Sequence, residues 1–289
     1  MAFEFCNTKS EQRINQLQAY YQRKIMCGDN FLCESYDECR LPKSKGMHFY
    51  EGQLSHIGKK FDVVKDGKPL RIVISGIEYG EKNPRVDLPA RFEQIAIHSG
   101  MGSEFKANDN GRGHRNPHMR GTTLILKRIL LGEDSVNSER HPLWSEEFVG
   151  SAKTSDNHIF NMFALVNFLL CSRVKNSMNG HSKRTMRRSC YHHYFQTLQI
   201  LEPNLLVLQT KGKLAEMLKD LNLVDYWKPE HGSSAIGRFR KGKLDFLTCE
   251  FTHPAYPGPE GNWSGQNREY FQDTVLPTIG KAMQILELE

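Results

Sequence analysis

Three residues far apart in the chain, Glu78, Asn167 and His253, are of the types that hydrolysis at a glycosidic carbon requires. A carboxylate can position a water and steady the positive charge that builds on a sugar as its bond to a base breaks. An imidazole can hydrogen-bond the departing base as negative charge gathers on it. A carboxamide presents a donor beside an acceptor and can read a base edge. Taken alone, each has an ordinary explanation: Glu78 as a loop carboxylate, Asn167 as a buried amide satisfied by backbone, and His253-Pro254 as turn chemistry. What gives them weight together is that each closes or follows an apolar run that reads as a strand.

Those runs set the expected architecture. LRIVISG, closed by Gly76, is short, apolar and rich in β-branched residues, and NLLVLQT and KLDFLTCEF read the same way; the periodicity of HIFNMFALVNFLLC fits a helix, a strand or one leading into the other, of which a helix end followed by a strand around 163–170 is preferred. Helices are expected over 10–26 (entered through Ser10), 85–98, TTLILKRILL, CYHHYFQTLQILEP (stopped by Pro203), KLAEMLKDL and the tail from Gln266 to Leu288. KANDNGRGHRNPHMR and VKNSMNGHSKRTMRRS read as polar and basic loops. Apolar strands alternating with helices imply a three-layer α/β/α sandwich around a central, mostly parallel four-stranded sheet covered on both faces. It is expected to form one domain over 1–289, with the N-terminal helix and cysteine-bearing segment 1–60 packed on it. Ligands of such sheets bind beyond the carboxyl ends of the strands, which selects GIEYGEKN, CSRVKNSMNG and THPAYPG.

Composition narrows the setting. A formal charge of +6 over 289 residues permits a polyanionic partner without demanding one. No apolar run is long enough to span a bilayer and MAFEFCNTKSEQR lacks a signal-peptide core, so a cytoplasmic protein with no membrane partner is expected. In that reducing setting the seven cysteines are expected as buried thiols, metal ligands or nucleophiles, not as disulfides.

Four segments in order resemble the uracil-DNA glycosylase superfamily, most closely its family 4, the iron–sulfur branch; the resemblance covers roughly residues 33 to 260. IVISGIEYG resembles the first motif, a strand ending in a G-x-x-x-G turn; NFLLCSRVKNSMNG resembles the strand with Asn four residues before a Cys, followed by a basic loop. CYHHYFQTLQILEPNLLVLQT resembles the next helix and strand, and FTHPAYPG the second catalytic motif. The resemblance implies a monomeric enzyme that flips a pyrimidine out of DNA and hydrolyses its N-glycosidic bond. Glu78 then stands in the water-activating region, although family 4 places its Glu one residue earlier, at Ile77. His253 matches the leaving-group histidine, Asn167 the amide that reads the pyrimidine, and Tyr256 lies in the loop that wedges into the duplex. Lys175, Lys183, Arg184, Arg187 and Arg188 would contact phosphates; singly, each also fits a solvated basic face. With no lysine at a catalytic motif position except Lys82, hydrolysis without lyase activity is expected.

The resemblance also implies a four-iron cluster on four thiolates. Cys171 and Cys190 match the later pair; the N-terminal pair, normally C-x-x-C, is drawn from Cys27, Cys33 and Cys39, with Cys33 and Cys39 preferred. The same ligands suit zinc. Departures fall on the pocket. The loop NGRGHRNPHMRG lacks the Phe that stacks on uracil, leaving His118 or Met119 to replace it, and Gly80 stands where the uracil-specific branch has a Tyr that blocks carbon 5. Tyr79 and Gly80 would thus border an open wall, and His114, Arg115, Asn116 and His118 suit a polar substituent. A 5-substituted pyrimidine such as the glucosylated hydroxymethylcytosine of some phage genomes is the expected substrate, in line with antiphage glycosylases of this superfamily. Plain uracil in base excision repair, a modified-base sensor that does not cut, and a redox protein whose function is the cysteine set are the alternatives.

Overall fold

A computed structural model describes residues 3–41, 46–77, 85–98, 117–136, 147–151, 154–175, 182–210, 224–227, 236–254, 263 and 269–286. The fold is mixed α/β. Its main sheet contains β1 (His56–Ile57), β2 (Ile72–Gly76), β3 (Phe163–Asn167), β4 (Leu205–Gln209), β5 (Val224–Trp227), β6 (Ile236–Lys241) and β7 (Leu244–Phe251), in the order β5-β6-β7-β4-β2-β3-β1. The central four, β7-β4-β2-β3, are parallel, and β1, β6 and β5 are added antiparallel at the two edges. The sheet is therefore wider than the four strands expected from the apolar runs, because β6 and β7 form a hairpin turned at Gly242 (φ 61°) and β5 extends it.

The central strands are continuous apolar runs because both of their faces are covered. Alternate residues divide between two cores: Ile72, Ile74, Phe163, Leu165, Leu205, Val207, Leu247 and Cys249 enter one, and Val73, Ala164, Val166, Leu206, Leu208 and Phe246 enter the other. The first core is closed by helices α4 (Pro117–Leu131) and α6 (Leu276–Ile285), the second by α1 (Asn7–Lys24) and α5 (Arg184–Leu201). On α5 the buried positions Met186, Cys190, His193, Tyr194, Thr197, Leu198 and Leu201 recur at three- and four-residue steps, the stripe of an amphipathic helix. The helix stops at Glu202, in left-handed backbone (φ 45°), with Pro203 behind it. Further α-helices among the described residues are α2 (Tyr36–Arg40) and α3 (Leu88–His98). Among the described residues, no helix is long and apolar enough to cross a membrane.

Several local readings need correction. Helix α1 starts at Asn7, so Ser10 is not its cap; it is buried inside the first turns, where its Oγ accepts the Asp62 backbone N–H at 2.8 Å. Strand β3 ends at Asn167, and Cys171–Lys175 is a separate strand paired antiparallel with Met47–Glu51. Arg184, Arg187 and Arg188 lie on α5 and not in a loop, since the helix begins at Arg184, six residues before Cys190, where the CYHH run opens. Pro117–Arg120, read as loop, are the first turn of α4. In the tail, a π turn at Phe271–Val275 precedes α6. The KLAEMLKDL helix lies outside the described residues.

Candidate functional site

The site is built where β2 and β3 end side by side. Gly76 is in register with Asn167, and the Phe168 N–H donates to the Gly76 carbonyl at 2.9 Å. Side chains alternate along a strand, so Gly76 and Asn167 share the face of Ile72, Ile74, Phe163 and Leu165, the face under α4. Distances agree: a methyl placed on Gly76 would lie 3.5 Å from Asn167 Oδ1 and 3.5 Å from His118 Cε1. His118 is the second residue of α4, where Pro117 supplies a backbone already suited to a helix start. Its ring lies nearly parallel to that of His253, with centroids 5.5 Å apart and an interplanar angle of 16°. Asn167, His118 and His253 are thus brought together over a floor without a side chain.

What lets α4 come this close is Gly121. A Cβ there would stand 2.6 Å from Pro254 Cγ and 2.7 Å from Trp263 Cη2, so the helix backbone rests directly on the His253-Pro254 turn. Trp263 is fully buried, its indole N–H donates to the Thr252 carbonyl at 2.9 Å, and it stacks on Phe271 at 6.0 Å.

Both imidazoles are held neutral. Burial, and then the charge of His253, brings His118 down to about 3; burial also lowers His253. His118 is half-buried and His253 exposed. The rings thus sit in a concave setting, where protein atoms crowd them and displace bulk water while one side of each remains reachable. A neutral imidazole there can donate one hydrogen bond to an atom gaining negative charge.

A second group of residues lies at the cysteine-bearing segment. Cys39 (on α2), Cys171 and Cys190 (on α5) are buried and Cys33 is half-buried. Burial is the first cause of each raised thiol pKa, and neighbouring thiols raise three of them further: Cys171 responds to Cys190, Cys33 and Cys39, Cys190, pushed up to about 12, to Cys39 and Cys33, and Cys39 to Cys33. Backbone groups of Gly52, Leu170 and Ser35 bond to Cys171, Cys190 and Cys33, and Ser189 bonds to Cys39. Cys27, exposed, is not among the groups acting on these four. Four neighbouring thiols with hydrogen bonds to their sulfurs are the donor set of a cluster or a zinc ion. Among the described residues, no three Cys, His, Asp or Glu side chains are drawn to the spacing of a bound ion.

The basic residues divide. Lys175 and Arg184 are exposed, and Arg187 is half-buried. Lys183 donates to the Leu41 carbonyl, and Arg188 faces Glu38 at 3.9 Å, so these two turn toward the α2 segment. Glu78, Tyr79, Gly80, Lys82, His114, Arg115, Asn116 and Tyr256 lie outside the described residues. Gly121 and Gln209 were missed by the sequence reading. Gln209 ends β4, and the signal for it was a polar pair, Gln-Thr, closing an apolar run at a parallel strand's carboxyl end. Compared with known proteins, the chain matches no protein-family model and no curated protein sequence.

Proposed function

We propose that the protein is a monofunctional DNA glycosylase that receives a flipped pyrimidine over Gly76 and hydrolyses its N-glycosidic bond, leaving an abasic site. One observation carries the reading: Asn167 and His253, separated in sequence, are brought together through His118 at the carboxyl edge of a parallel sheet. In this reading the Asn167 amide reads the base and the neutral His253 hydrogen-bonds the departing base anion. His118 forms a wall beside them, and Tyr79 and Gly80 border the base. Glu78 activates the water. The protein in this reading is a three-layer α/β/α sandwich, supported by the helices packed on both faces of the sheet, and it acts as a monomer on double- or single-stranded DNA. Lys175, Arg184 and Arg187 hold phosphates, and Tyr256 wedges into the vacated stack.

Cys33, Cys39, Cys171 and Cys190 would hold a structural four-iron cluster, or a zinc ion. The group would tie α2 and α5 to the strand Cys171–Lys175. Elemental analysis and visible absorption test this: Cys171→Ser and Cys190→Ser lose the metal, whereas Cys27→Ser keeps it.

The preferred substrate is a 5-substituted pyrimidine such as glucosylated hydroxymethylcytosine. Uracil is the second reading, favoured by the Asn167 amide, which suits the uracil edge. Incubation with uracil DNA, hyper-modified phage DNA and unmodified DNA, followed by mass spectrometry of released bases and an abasic-site assay, decides between them. Release of the modified base, lost in His253→Ala and Asn167→Ala, is expected. Release of uracil alone removes the modified-base assignment; tight binding to DNA with no base released from any of the three removes the enzyme and leaves a sensor.

A further inference from the structure

The row of residues that closes the central strands holds one more polar group. Gly76 pairs with Asn167 and Ser75 with Leu208, so Gln209 stands beside Gly76 on the side away from Asn167, and Gln209 pairs with Phe251. Leu205 and Val207 belong to the core under α4, and Gln209 shares their parity and faces the same way. Along that face the order is Asn167, Gly76, Gln209 and Phe251, with His253 two residues beyond Phe251 in the chain. Two carboxamides therefore flank a residue without a side chain, with about 10 Å between their strands.

Gln209 is fully buried. Its Nε2 donates to Thr122 Oγ1 at 3.3 Å, and Thr122 lies one turn beyond His118 on the same face of α4. Among the described residues its Oε1 has no hydrogen-bond partner, and neither has the neighbouring Thr210 hydroxyl. A buried acceptor without a donor is destabilising, and folded proteins retain few. An oxygen kept this way, on the strand next to Gly76 and under the same helix as His118, invites a donor that arrives with a ligand.

We propose that Gln209 is a specificity-determining residue: its Oε1 accepts a hydrogen bond from the exocyclic amino group of a flipped aminopyrimidine. The pocket thereby selects cytosine-type bases over uracil-type bases that carry a carbonyl at the same position. This rests on the glycosylase reading above and names its substrate class. A carboxamide free to turn suits either edge. In the structure the Thr122 hydroxyl takes up its Nε2, which leaves the oxygen as the end to meet the base. A carbonyl would oppose that oxygen lone pair to lone pair.

The test uses the full chain and two duplexes that differ only at the base, 5-glucosyloxymethylcytosine or 5-glucosyloxymethyluracil. Both base release and equilibrium binding by fluorescence anisotropy are read. Wild type is expected to favour the amino base by about 10- to 100-fold, and Gln209→Leu to bring the two within about threefold. Gln209→Met, of similar length, serves where the leucine variant melts early. Equal handling of both duplexes by wild type overturns the assignment, as does an unchanged preference in the variants. Base release with that unchanged preference leaves the glycosylase reading intact. A binding preference lost in Gln209→Leu, with no base released by any form, upholds Gln209 and removes the hydrolysis.

Discussion

Gly121→Ala tests whether the approach of α4 to the His253-Pro254 turn builds the site. The added Cβ would meet Pro254 Cγ at 2.6 Å and Trp263 Cη2 at 2.7 Å, whereas unbonded carbons rest at about 3.5–4.0 Å. Something must move by about 1 Å. Trp263 is fully buried against Phe271 with its N–H held by the Thr252 carbonyl, and the Pro254 ring has no rotamer to escape into, so α4 is the element that yields. Overpacking of this kind costs about 1–3 kcal/mol, against a helix-propensity gain of about 1 kcal/mol for alanine over glycine. The expected net loss is about 0–2 kcal/mol, a fall of a few degrees in the thermal midpoint. The functional effect is larger in proportion, because His118 rides on the displaced turn; a misplacement of about 1 Å lowers turnover by about 100-fold. Thermal unfolding and abasic-site formation, measured on the same preparation, read both. A variant that keeps full activity would refute the claim that Gly121 sets the geometry of the site.

Gly76→Val should do the opposite, since the first added carbon lies 3.5 Å from Asn167 Oδ1 and His118 Cε1, an ordinary contact, while its branches fill the floor between them. Its thermal midpoint should stay near wild type while base release falls at least about tenfold, and unchanged release would show that the base does not lie there. Gly58→Ala has no such room: its Cβ would stand 2.1 Å from the Asn161 carbonyl oxygen, which belongs to backbone, so a loss of more than about 3 kcal/mol is expected in urea unfolding. A near-native midpoint would contradict the close approach of these segments. His56 and His193 are brought down to about 4, in both cases chiefly by burial, from 6.5 when unfolded. The unfolded chain then takes up protons first as pH falls, so their contribution is complete above about 6.5 and is lost as the pH approaches about 4, roughly 3 kcal/mol for each. Urea midpoints that do not change between about pH 7 and about pH 4.5 would rule this out.

The central strands were legible because burial on both faces leaves only apolar residues to read, as in Ile72–Gly76 and Leu205–Gln209. The edge was harder. β6 alternates buried Phe239 with outward Arg238 and Arg240, which pair with Asp245 across the hairpin, so it lacks an apolar run; its signal was the alternation on either side of Lys-Gly-Lys. Residue type misled at Ser10, whose hydroxyl serves a buried backbone N–H of Asp62 instead of a helix end. Polarity hid the start of α4, although Pro117 marked it. Asn167 and His253 could be found because they close or follow strands. Gln209 closes a strand as Asn167 does, but its role comes from Thr122 on a helix distant in sequence, and Gly121, on that same helix, has its role only from the distant His253-Pro254 turn.

That helix is the common element. Within two turns α4 gives His118 to the Gly76 floor and His253, Gly121 to Pro254, and Thr122 to Gln209. His118 and Thr122 are four residues apart and therefore share a face, which is why one helix can address three neighbouring strand ends at once. Asn167, Gln209 and His253 come from separate strands whose mutual register is fixed by the sheet. What the sheet does not fix is the height of the wall above them. That height depends on how closely α4 packs on the last strand's turn, where Gly121 leaves contact with Pro254 and Trp263 possible. The sheet thus sets which groups stand side by side, and the helix sets the space left between them for a ligand.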